Sequence, residues 1–257
     1  MTADAATRTR VAPRERLIAT IARLLDGCRH VAVGASSPIP AAGAMLLRAM
    51  RADDEEPMRI SILGSVAHNF FTNGGIELFD CAAQGRIDAF FLGGGQIDGA
   101  GNINLVGAGG YPESRVRWPG SFGSAFLAYV VPRIILFREE HSRRVFVDKV
   151  DFVSAPGTSP PGVYRTGGPR ALLTGLALFA FDRDAGRFRL VSIHPGSTLA
   201  DIRDATGFAF DHDPVPEVTP DPDARTLGLL RGRVLDELAE TYPEFARQLR
   251  AEIDALN

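Results

Sequence analysis

The first ninety residues of the chain alternate between two kinds of hydrophobic pattern. Residues 14–27 carry apolar side chains at helical spacing and end at Gly27, which predicts a helix. Short apolar runs without a helical period follow at intervals and predict buried strands. The predicted helices span residues 14–27, 40–50 and 76–85, and the predicted strands span residues 30–36, 58–63 and 87–93. This alternation predicts a mostly parallel open sheet with helices on both faces.

The pattern is less regular in the rest of the chain. A short helix over residues 125–131 and a strand over residues 132–137 follow a glycine-rich turn. Residues 172–182 and 187–196 predict antiparallel partners, which would give the parallel sheet a mixed edge. The remaining predictions are a short strand at residues 115–117, one or two strands within residues 143–154, a loop over residues 158–170 and a helical segment over residues 225–256.

The length of the chain favours one domain. A chain of 257 residues can bury a full hydrophobic core without disulfides or metal ions. The sequence contains no internal repeat, no low-complexity tract and no strong boundary. We therefore predict a single α/β domain over residues 1–257, with a flexible N-terminus at residues 1–13 and a helical C-terminal segment at residues 225–257.

Charge and cysteine content argue against several classes of function. The 28 Lys and Arg residues against 31 Asp and Glu residues leave a net charge of −3, so nonspecific nucleic-acid binding is not expected. No apolar run reaches the about 18 residues of a membrane span, and no apolar segment of a secretory signal follows the N-terminal arginines. Cys28 and Cys81 have no CxxC partner and are expected to be reduced, buried thiols, which indicates a cytoplasmic protein. The five dispersed histidines predict no metal site.

One stretch, residues 91–110 (FLGGGQIDGAGNINLVGAGG), holds eight of the 27 glycines. It leaves the predicted strand 87–93, and ligands of open α/β sheets bind beyond the carboxyl ends of the strands. Glycine lets the backbone approach a ligand closely, and bare N–H groups can hold an anion or a thioester oxygen. The alternative is a tight crossover that needs glycine for packing alone.

The stretch matches none of the common motifs of nucleotide or ester chemistry. Gly93 and Gly95 begin a dinucleotide fingerprint, but Asp98 stands where the third glycine belongs. No Walker A ending occurs. The nucleophile elbow GxSxG is also absent, since Pro119 precedes Ser121 where the first glycine should stand.

FLGGGQIDGAGNIN resembles a motif in the β subunits of family I CoA-transferases. Four further segments resemble that family in the same order. They are HVAVGASSPIPAAGAMLLRAM (30–50), GSFGSAF (120–126), HSRRVFVDKVDFVSAPG (141–157) and HPGSTLADIRDATGFAF (194–210). The resemblance covers most of residues 14–240.

The resemblance implies a three-layer αβα domain and a partner α subunit of similar fold, in an αβ pair or a heterotetramer of two pairs. The active site would lie between the subunits. It also implies an acyl-CoA substrate, with coenzyme A part of the substrate and no tightly bound cofactor. The residues that would line the CoA thioester site are Gly93, Gly94, Gly95, Gln96, Asp98, Gly101, Asn102, Gly120, Ser121, Gly123 and Ser124, with the N–H near Gly123 as a candidate oxyanion donor.

The sequence departs from the family at one decisive position. Family I transferases attack the thioester with a β-subunit glutamate that follows a short strand. Here Leu63 holds that position, followed by Gly64 and Ser65. Leucine cannot act as a nucleophile, so the catalytic residue is unknown, and Glu77, Ser65 and His68 are weak candidates.

Three hypotheses follow from this departure. The alignment is shifted and Glu77 is the nucleophile, or the chain is a non-catalytic scaffold subunit, or the complex has changed its reaction. One branch of the superfamily lacks the β-subunit glutamate and hydrolyses a carbon–carbon bond of a cyclic keto acyl-CoA in steroid-ring breakdown. In that branch an acid of the α subunit activates the chemistry.

Two further groups of residues have a bland interpretation that we favour. The basic residues Arg143, Arg144 and Lys149 either meet CoA phosphates or a carboxylate substrate, or form a solvated face. Nearby acids at positions 139, 140, 148 and 151 balance them, which favours the solvated face. His141 and His194 match family positions, and we expect them to be structural hydrogen-bonding residues.

Overall fold

The computed structural model describes residues 10–72 and 74–256, with an eight-stranded sheet at its centre. The strands are β1 (His30–Val33), β2 (Arg59–Ile62), β3 (Ala89–Leu92), β4 (Gln96–Ile97), β5 (Ile103–Asn104), β6 (Gly107–Ala108), β7 (Val116–Arg117), β8 (Arg133–Arg138), β9 (Pro169–Thr174), β10 (Ala177–Asp182), β11 (Arg187–Ile193) and β12 (Asp211–Val218). The central sheet has the order β12-β11-β10-β9-β8-β3-β1-β2, while β4 pairs with β5 and β6 pairs with β7 in two short hairpins.

Five strands from β2 to β9 run parallel to their neighbours. β9, β10 and β11 then form an antiparallel meander, and β12 lies parallel to β11 at the edge. The predicted mostly parallel sheet with a mixed edge is confirmed.

Helices cover both faces of this sheet. They are α1 (Pro13–Leu24), α2 (Pro38–Met50), α3 (Gly74–Ala83), α4 (Ser124–Val130), α5 (Leu199–Ala205), α6 (Ala224–Leu229), α7 (Leu235–Thr241) and α8 (Pro243–Asp254), with a π-helical turn at Leu230–Val234 joining α6 to α7. Successive strand side chains point to opposite faces. Val31 of β1 accordingly joins the core with α1, α2 and the C-terminal helices, whereas Ala32 joins the core with α3, α4 and α5. The chain therefore has the expected three-layer αβα arrangement.

One predicted strand region is wrong. Residues 143–154 form no strand; they form a folded loop that packs on the β4–β5 hairpin through isolated bridges. Val145 and Phe146 are adjacent and both fully buried, which a strand with one buried face does not allow. The Val145 carbonyl instead accepts the N–H of Ile97 at 2.8 Å, and Val147 donates to the Ile97 carbonyl at 3.0 Å.

Two details of the mixed edge also differ from the sequence-based expectation. The segment 172–182 is two strands, β9 and β10, because the chain turns at Gly175, where a Cβ would lie 2.4 Å from the Glu139 carbonyl. The antiparallel pairing of β10 with β11 is confirmed. β12 was not predicted, since Pro214 and Pro216 lie within it, and an edge strand is the place in a sheet that tolerates proline.

The ends of the chain and the cysteines follow the predictions in part. Residues 1–9 lie outside the described residues, and α1 begins at Pro13. Cys28 is buried and Cys81 is half-buried, and neither forms a disulfide. Burial raises the pKa of the Cys28 thiol to about 11. Within the described ranges no helix is long and apolar enough to cross a bilayer, and no group of three or more acidic, histidine or cysteine side chains is placed to hold a metal ion.

The crossing of α1 and α2 depends on a glycine, and this gives a test of the fold. A Cβ at Gly43 would lie 2.3 Å from the Ile21 Cγ2 and 3.1 Å from the Ile18 carbonyl. We expect Gly43→Ala to lower the free energy of unfolding by about 1–3 kcal/mol through overpacking, measured by urea denaturation. Gly228→Ala is the matched helical control, because nothing lies within 4 Å of its Cβ. Equal effects of the two substitutions would contradict the packing argument.

Candidate active site

A cleft of about 930 Å³ opens at the carboxyl ends of β1, β3 and β8. The residues after each strand line it: Ser36 and Ser37 after β1, the glycines after β3, and Glu139 and Glu140 after β8. Trp118 and Pro119 close one side, and Arg14 and Phe245 approach from α1 and α8. The glycine stretch therefore lies where the sequence placed it, at the ligand-binding edge of a parallel sheet.

The first three glycines of the stretch form part of the cleft wall. A Cβ at Gly93 would lie 3.0 Å from the Phe137 carbonyl, and one at Gly94 would lie 2.5 Å from the Gln96 carbonyl. At Gly95 a Cβ would lie 2.4 Å from the Trp118 ring. Close packing by itself requires these glycines, so a ligand is not needed to explain them, although they do expose bare backbone to the cleft.

The side chain of Gln96 is committed to an internal network. Its Oε1 accepts from Asn104 Nδ2 at 2.7 Å and from the Asp151 N–H at 3.0 Å, while its Nε2 donates to Asp151 Oδ2 at 2.9 Å. Asn104 is fully buried and also donates to the Gly107 carbonyl at 2.7 Å. The N–H of Gly109 donates to Asp151, and this bond is the largest cause of the lowered pKa of that carboxyl.

Asp98, Gly101 and Asn102 form the turn between β4 and β5. The buried Asp98 carboxylate accepts from the Ala100 and Asn102 N–H groups and from Asn102 Nδ2, each at 3.1 Å. Asn102 Oδ1 accepts from the Gly157 N–H at 3.0 Å. Gly101 has a φ of +74°, where a side chain is strained and would also meet the Phe181 ring. The polar atoms of this turn brace the loop and do not line the cleft.

The second glycine loop, GSFGSAF, follows Trp118 and Pro119 of the cleft wall. Gly120 has a φ of +105°, and Phe122 has a φ of +46°, which is uncommon for a residue with a side chain. Gly123 lies against the Phe79 ring, Ser121 is half-buried and Ser124 is buried at the start of α4. Among the described residues, the Ser124 hydroxyl finds no hydrogen-bond partner.

Two carboxylates in the cleft were named in the sequence only as balancing charges. Glu139 accepts from Arg14 Nε at 2.8 Å. Glu140 accepts from the Ser142 hydroxyl at 2.6 Å and from Arg144, and the Ser142 bond is the main cause of its lowered pKa. Both acids directly follow β8, so the rule that ligands bind beyond strand ends was the signal that could have found them.

The end of β2 carries no carboxylate of its own. Leu63 is half-buried, and its N–H donates to the Val33 carbonyl at 3.0 Å. Gly64 follows with a φ of +88° and turns the chain. No residue from the end of β2 is part of the cleft lining described above.

A carboxylate from the C-terminal helices reaches this turn instead. Glu240 of α7 accepts from the Ser65 hydroxyl at 2.8 Å, from the Val66 N–H at 2.9 Å and from the Ala67 N–H at 3.4 Å. Thr241 donates to the same carboxylate, and these bonds, led by that of Thr241, lower the pKa of Glu240 to about 2. Sequence reasoning missed this contact because 175 residues separate the two partners.

The three weak catalytic candidates all have structural partners. Ser65 is bound to Glu240, and its Oγ accepts the His68 N–H at 2.9 Å. The His68 Nε2 lies 2.9 Å from a Glu237 carboxylate oxygen. Glu77 accepts from the Thr72 N–H and hydroxyl at the start of α3, and it lines a different cavity, together with His30 and Arg59. None of the three is part of the lining of the cleft.

His141 and His194 are held by core hydroxyls and carbonyls. His141 bonds Thr174 Oγ1 at 2.8 Å and Thr206 Oγ1 at 2.9 Å. His194 bonds Thr219 Oγ1 at 2.8 Å and the Thr174 carbonyl at 2.9 Å. Burial lowers the pKa of both rings to about 4, so both are neutral near neutral pH. This geometry agrees with the expected structural role.

The basic group of residues 143–149 divides in two. Arg143 donates to the Asp204 carbonyl at 2.7 Å, where α5 ends. Arg144 lines the cleft and pairs with Glu140, while Lys149 is exposed. The solvated-face interpretation therefore describes Lys149, and only Arg144 faces the cleft.

Comparison with known proteins identifies the family. The family model described as Coenzyme A transferase matches residues 15–205, which is most of the chain. The chain belongs to the coenzyme A transferase family. The B-type chain of glutaconate CoA-transferase from Acidaminococcus fermentans is 32% identical over 151 residues, which cover 56% of each chain.

Two further members show how varied the family is. The IpdB component of the cholesterol ring-cleaving hydrolase of Rhodococcus jostii RHA1 is 30% identical over 177 residues, covering 62% of this chain and 64% of that one. The crystal structure of the decarboxylase AibA/AibB superposes with a TM-score of 0.71 at 27% identity, over 89% of this chain and 99% of that chain. The matched sequence spans under two thirds of both curated relatives.

The bonds of Glu240 predict how stability depends on pH. Its pKa in the folded chain is about 2 against an ordinary 4.5, so its contribution is present above pH 4.5 and is lost as pH falls towards 2. We expect Glu240→Gln to be less stable than the wild type at neutral pH, and the gap to close on acidification. Because the carboxylate is exposed, the gap is modest.

Urea denaturation from neutral pH down to about pH 3 measures this gap. Glu55→Gln, an exposed carboxylate in the loop before β2, is the control that should show no comparable change. A gap that stays constant over the whole pH range would count against a stabilising carboxylate at position 240.

Proposed function

We propose that this chain is the β-type half of a two-subunit enzyme that binds an acyl-CoA thioester in the cleft beyond β1, β3 and β8. The observation that carries this proposal is the cleft itself, which has bare backbone at Gly93–Gly95 and a volume of about 930 Å³. Clefts of this size at strand ends are ordinary small-molecule sites. Family membership supplies the thioester as the ligand.

The proposed contacts divide into those that meet the substrate and those that hold the loop. Gly93, Gly94 and Gly95 face the cleft, and the loop of Gly120, Ser121, Gly123 and Ser124 borders it through Trp118 and Pro119. The unpartnered Ser124 hydroxyl supports a polar ligand atom near that loop. Gln96, Asp98, Gly101 and Asn102 keep the loop in place, because their polar or steric requirements are met inside the chain.

We propose a reaction in which the CoA thioester bond survives. A transferase needs a carboxylate free to attack the thioester. Leu63 stands at the end of β2, and the carboxylate that reaches this turn, Glu240, is held by four donors. Glu139 and Glu140 face the cleft but are held by arginines, so they orient charge and are poor nucleophiles. The hydrolase and decarboxylase relatives support this proposal.

A partner subunit would supply the missing chemical group. The surface beside the second glycine loop is apolar: Phe122, Ile76 and Phe126 are 80%, 62% and 42% exposed. Phe122 and Phe126 pack against the Phe79 ring, with ring centroids 5.4 and 5.8 Å apart. Exposed aromatic clusters of this kind mark protein interfaces. We propose that the α subunit docks here, in an αβ pair or a heterotetramer.

The full chain, co-purified with a co-expressed α subunit, tests the reaction. A panel of dicarboxylic and cyclic keto acyl-CoA thioesters is incubated with and without acetate, and mass spectrometry follows the products. We expect CoA to stay attached while the acyl group gains one water, as in ring opening, or loses carbon dioxide. CoA transfer to acetate would overturn the proposed reaction and leave a transferase. No turnover at all would favour a scaffold subunit.

A substitution at Leu63 tests whether it holds the nucleophile position. Leu63→Glu restores a carboxylate there, and we expect intact-mass spectrometry to detect a covalent enzyme–CoA adduct after incubation with acyl-CoA. Leu63→Gln has the same size without a nucleophile and should form no adduct. An adduct on the wild-type chain, or none on Leu63→Glu, would show that position 63 is not the catalytic position.

The docking surface is tested separately. Phe122→Asn removes the exposed ring and keeps a residue that tolerates positive φ. We expect it to weaken the affinity for the α subunit about tenfold or more, the usual loss when an aromatic anchor is truncated. Val215→Asn, at an 84% exposed position of β12, is the control. Equal affinities of the two variants, measured by surface plasmon resonance, would place the interface elsewhere.

A further inference from the structure

A second cavity, of about 500 Å³, lies at the opposite edge of the sheet from the cleft. Arg170 is the second residue of β9, and Arg183 directly follows β10, which runs antiparallel to β9. Both therefore lie at the edge where the parallel strands begin. Arg165, from the loop before β9, completes a set of three arginines around this cavity.

The three guanidinium groups are held by backbone carbonyls. Arg165 Nε and Arg183 Nη2 donate to the same oxygen, the Gly167 carbonyl, at 3.1 and 2.9 Å. Arg165 Nη2 also donates to the Ala128 and Pro156 carbonyls, at 3.0 and 2.8 Å. Arg170 Nε donates to the Pro132 carbonyl at 3.2 Å. Carbonyl oxygens fix the orientation of these groups but do not neutralise their charge.

Charge at this edge is not balanced by carboxylates. In the part of the chain that the structure describes, none of the three arginines forms an ion pair, whereas Arg187 and Arg189 of the neighbouring β11 pair with Asp211 and Asp213. Burial and then the charge of Arg183 lower the pKa of both Arg165 and Arg170. Asp184 borders the cavity as its one acidic lining residue.

The cavity offers further donors of the kind that bind oxyanions. Thr158 and Ser159 contribute hydroxyl groups to its lining, and the Ser159 Oγ lies 3.4 Å from Arg165 Nη1. Planar guanidinium groups match the oxygens of phosphate and can bind two of them at once. A ligand with two or more negative charges would offset the repulsion between like charges held close together.

We propose that this cavity binds a small phosphorylated molecule through Arg165, Arg170 and Arg183. The site is independent of the proposed acyl-CoA function, because it lies at the other edge of the sheet and shares no residue with the cleft. It would let a phosphorylated metabolite bind while the cleft is occupied.

Inorganic pyrophosphate and inorganic phosphate are the probes. Isothermal titration is carried out on the full chain, alone and in complex with the co-expressed α subunit, and melting temperatures are compared with chloride at equal ionic strength. We expect pyrophosphate to bind and to raise the melting temperature more than phosphate does. Absence of pyrophosphate binding, or a shift no larger than that in chloride, would overturn the proposal.

Arg170→Gln is the test variant, because its one hydrogen bond described above, to the Pro132 carbonyl, is not required by the sheet. We expect it to weaken pyrophosphate binding by about tenfold or more, the loss typical of one charge-assisted hydrogen bond. Arg187→Gln, on β11 and paired with Asp211 at 2.8 Å, is the matched control and should bind normally. Asp184→Asn should bind more tightly, since it removes the acidic lining residue.

Two outcomes would contradict the site even if pyrophosphate binds. Equal affinities for Arg170→Gln and Arg187→Gln would place the anion elsewhere on the chain. Binding to the chain alone that disappears in the complex would assign these arginines to the subunit interface.

Discussion

The hydrogen bonds between Gln96, Asn104 and Asp151 hold together the two segments that leave the centre of the sheet. One segment follows β3 and the other follows β8, and both must turn away from a strand end without a regular partner. A buried amide that lost its partners would cost a large part of the stability of the domain. The network therefore fixes the β4–β5 hairpin against the loop of residues 143–154, and the cleft wall at Gly93–Gly95 depends on that hairpin.

The two edges of the sheet differ in how their charges are balanced. At the carboxyl edge, Glu139 and Glu140 meet Arg14 and Arg144, and Glu240 is held by the turn after β2. At the amino edge, arginines rest on carbonyl oxygens. A balanced edge can orient a neutral or weakly charged acyl group with little net field, whereas the amino edge attracts anions. The same parallel sheet thus presents two chemically different surfaces.

Several parts of the site could be anticipated from the chain and others could not. The position of the glycine stretch followed from the strand before it, because a strand end is a local signal. Glu139 and Glu140 carried the same signal, but their neighbouring basic residues favoured a solvated face. Glu240 carried none, since its contact with Ser65 exists only when α7 packs beside the end of β2. The loop of residues 143–154 alternated like a strand, but the β4–β5 hairpin occupied its partners.

By itself the sequence determined the helices, the buried parallel strands and the family resemblance, because hydrophobic period and glycine position are local properties of the chain. It also determined that leucine follows β2 where a carboxylate would be expected. Only the tertiary structure decided which polar side chains were available. Gln96, Asp98 and Asn102 looked like ligand-binding groups in the sequence, yet folding brought internal partners to each of them. A buried polar group takes the nearest partner that the fold supplies, and the order of residues along the chain does not name that partner.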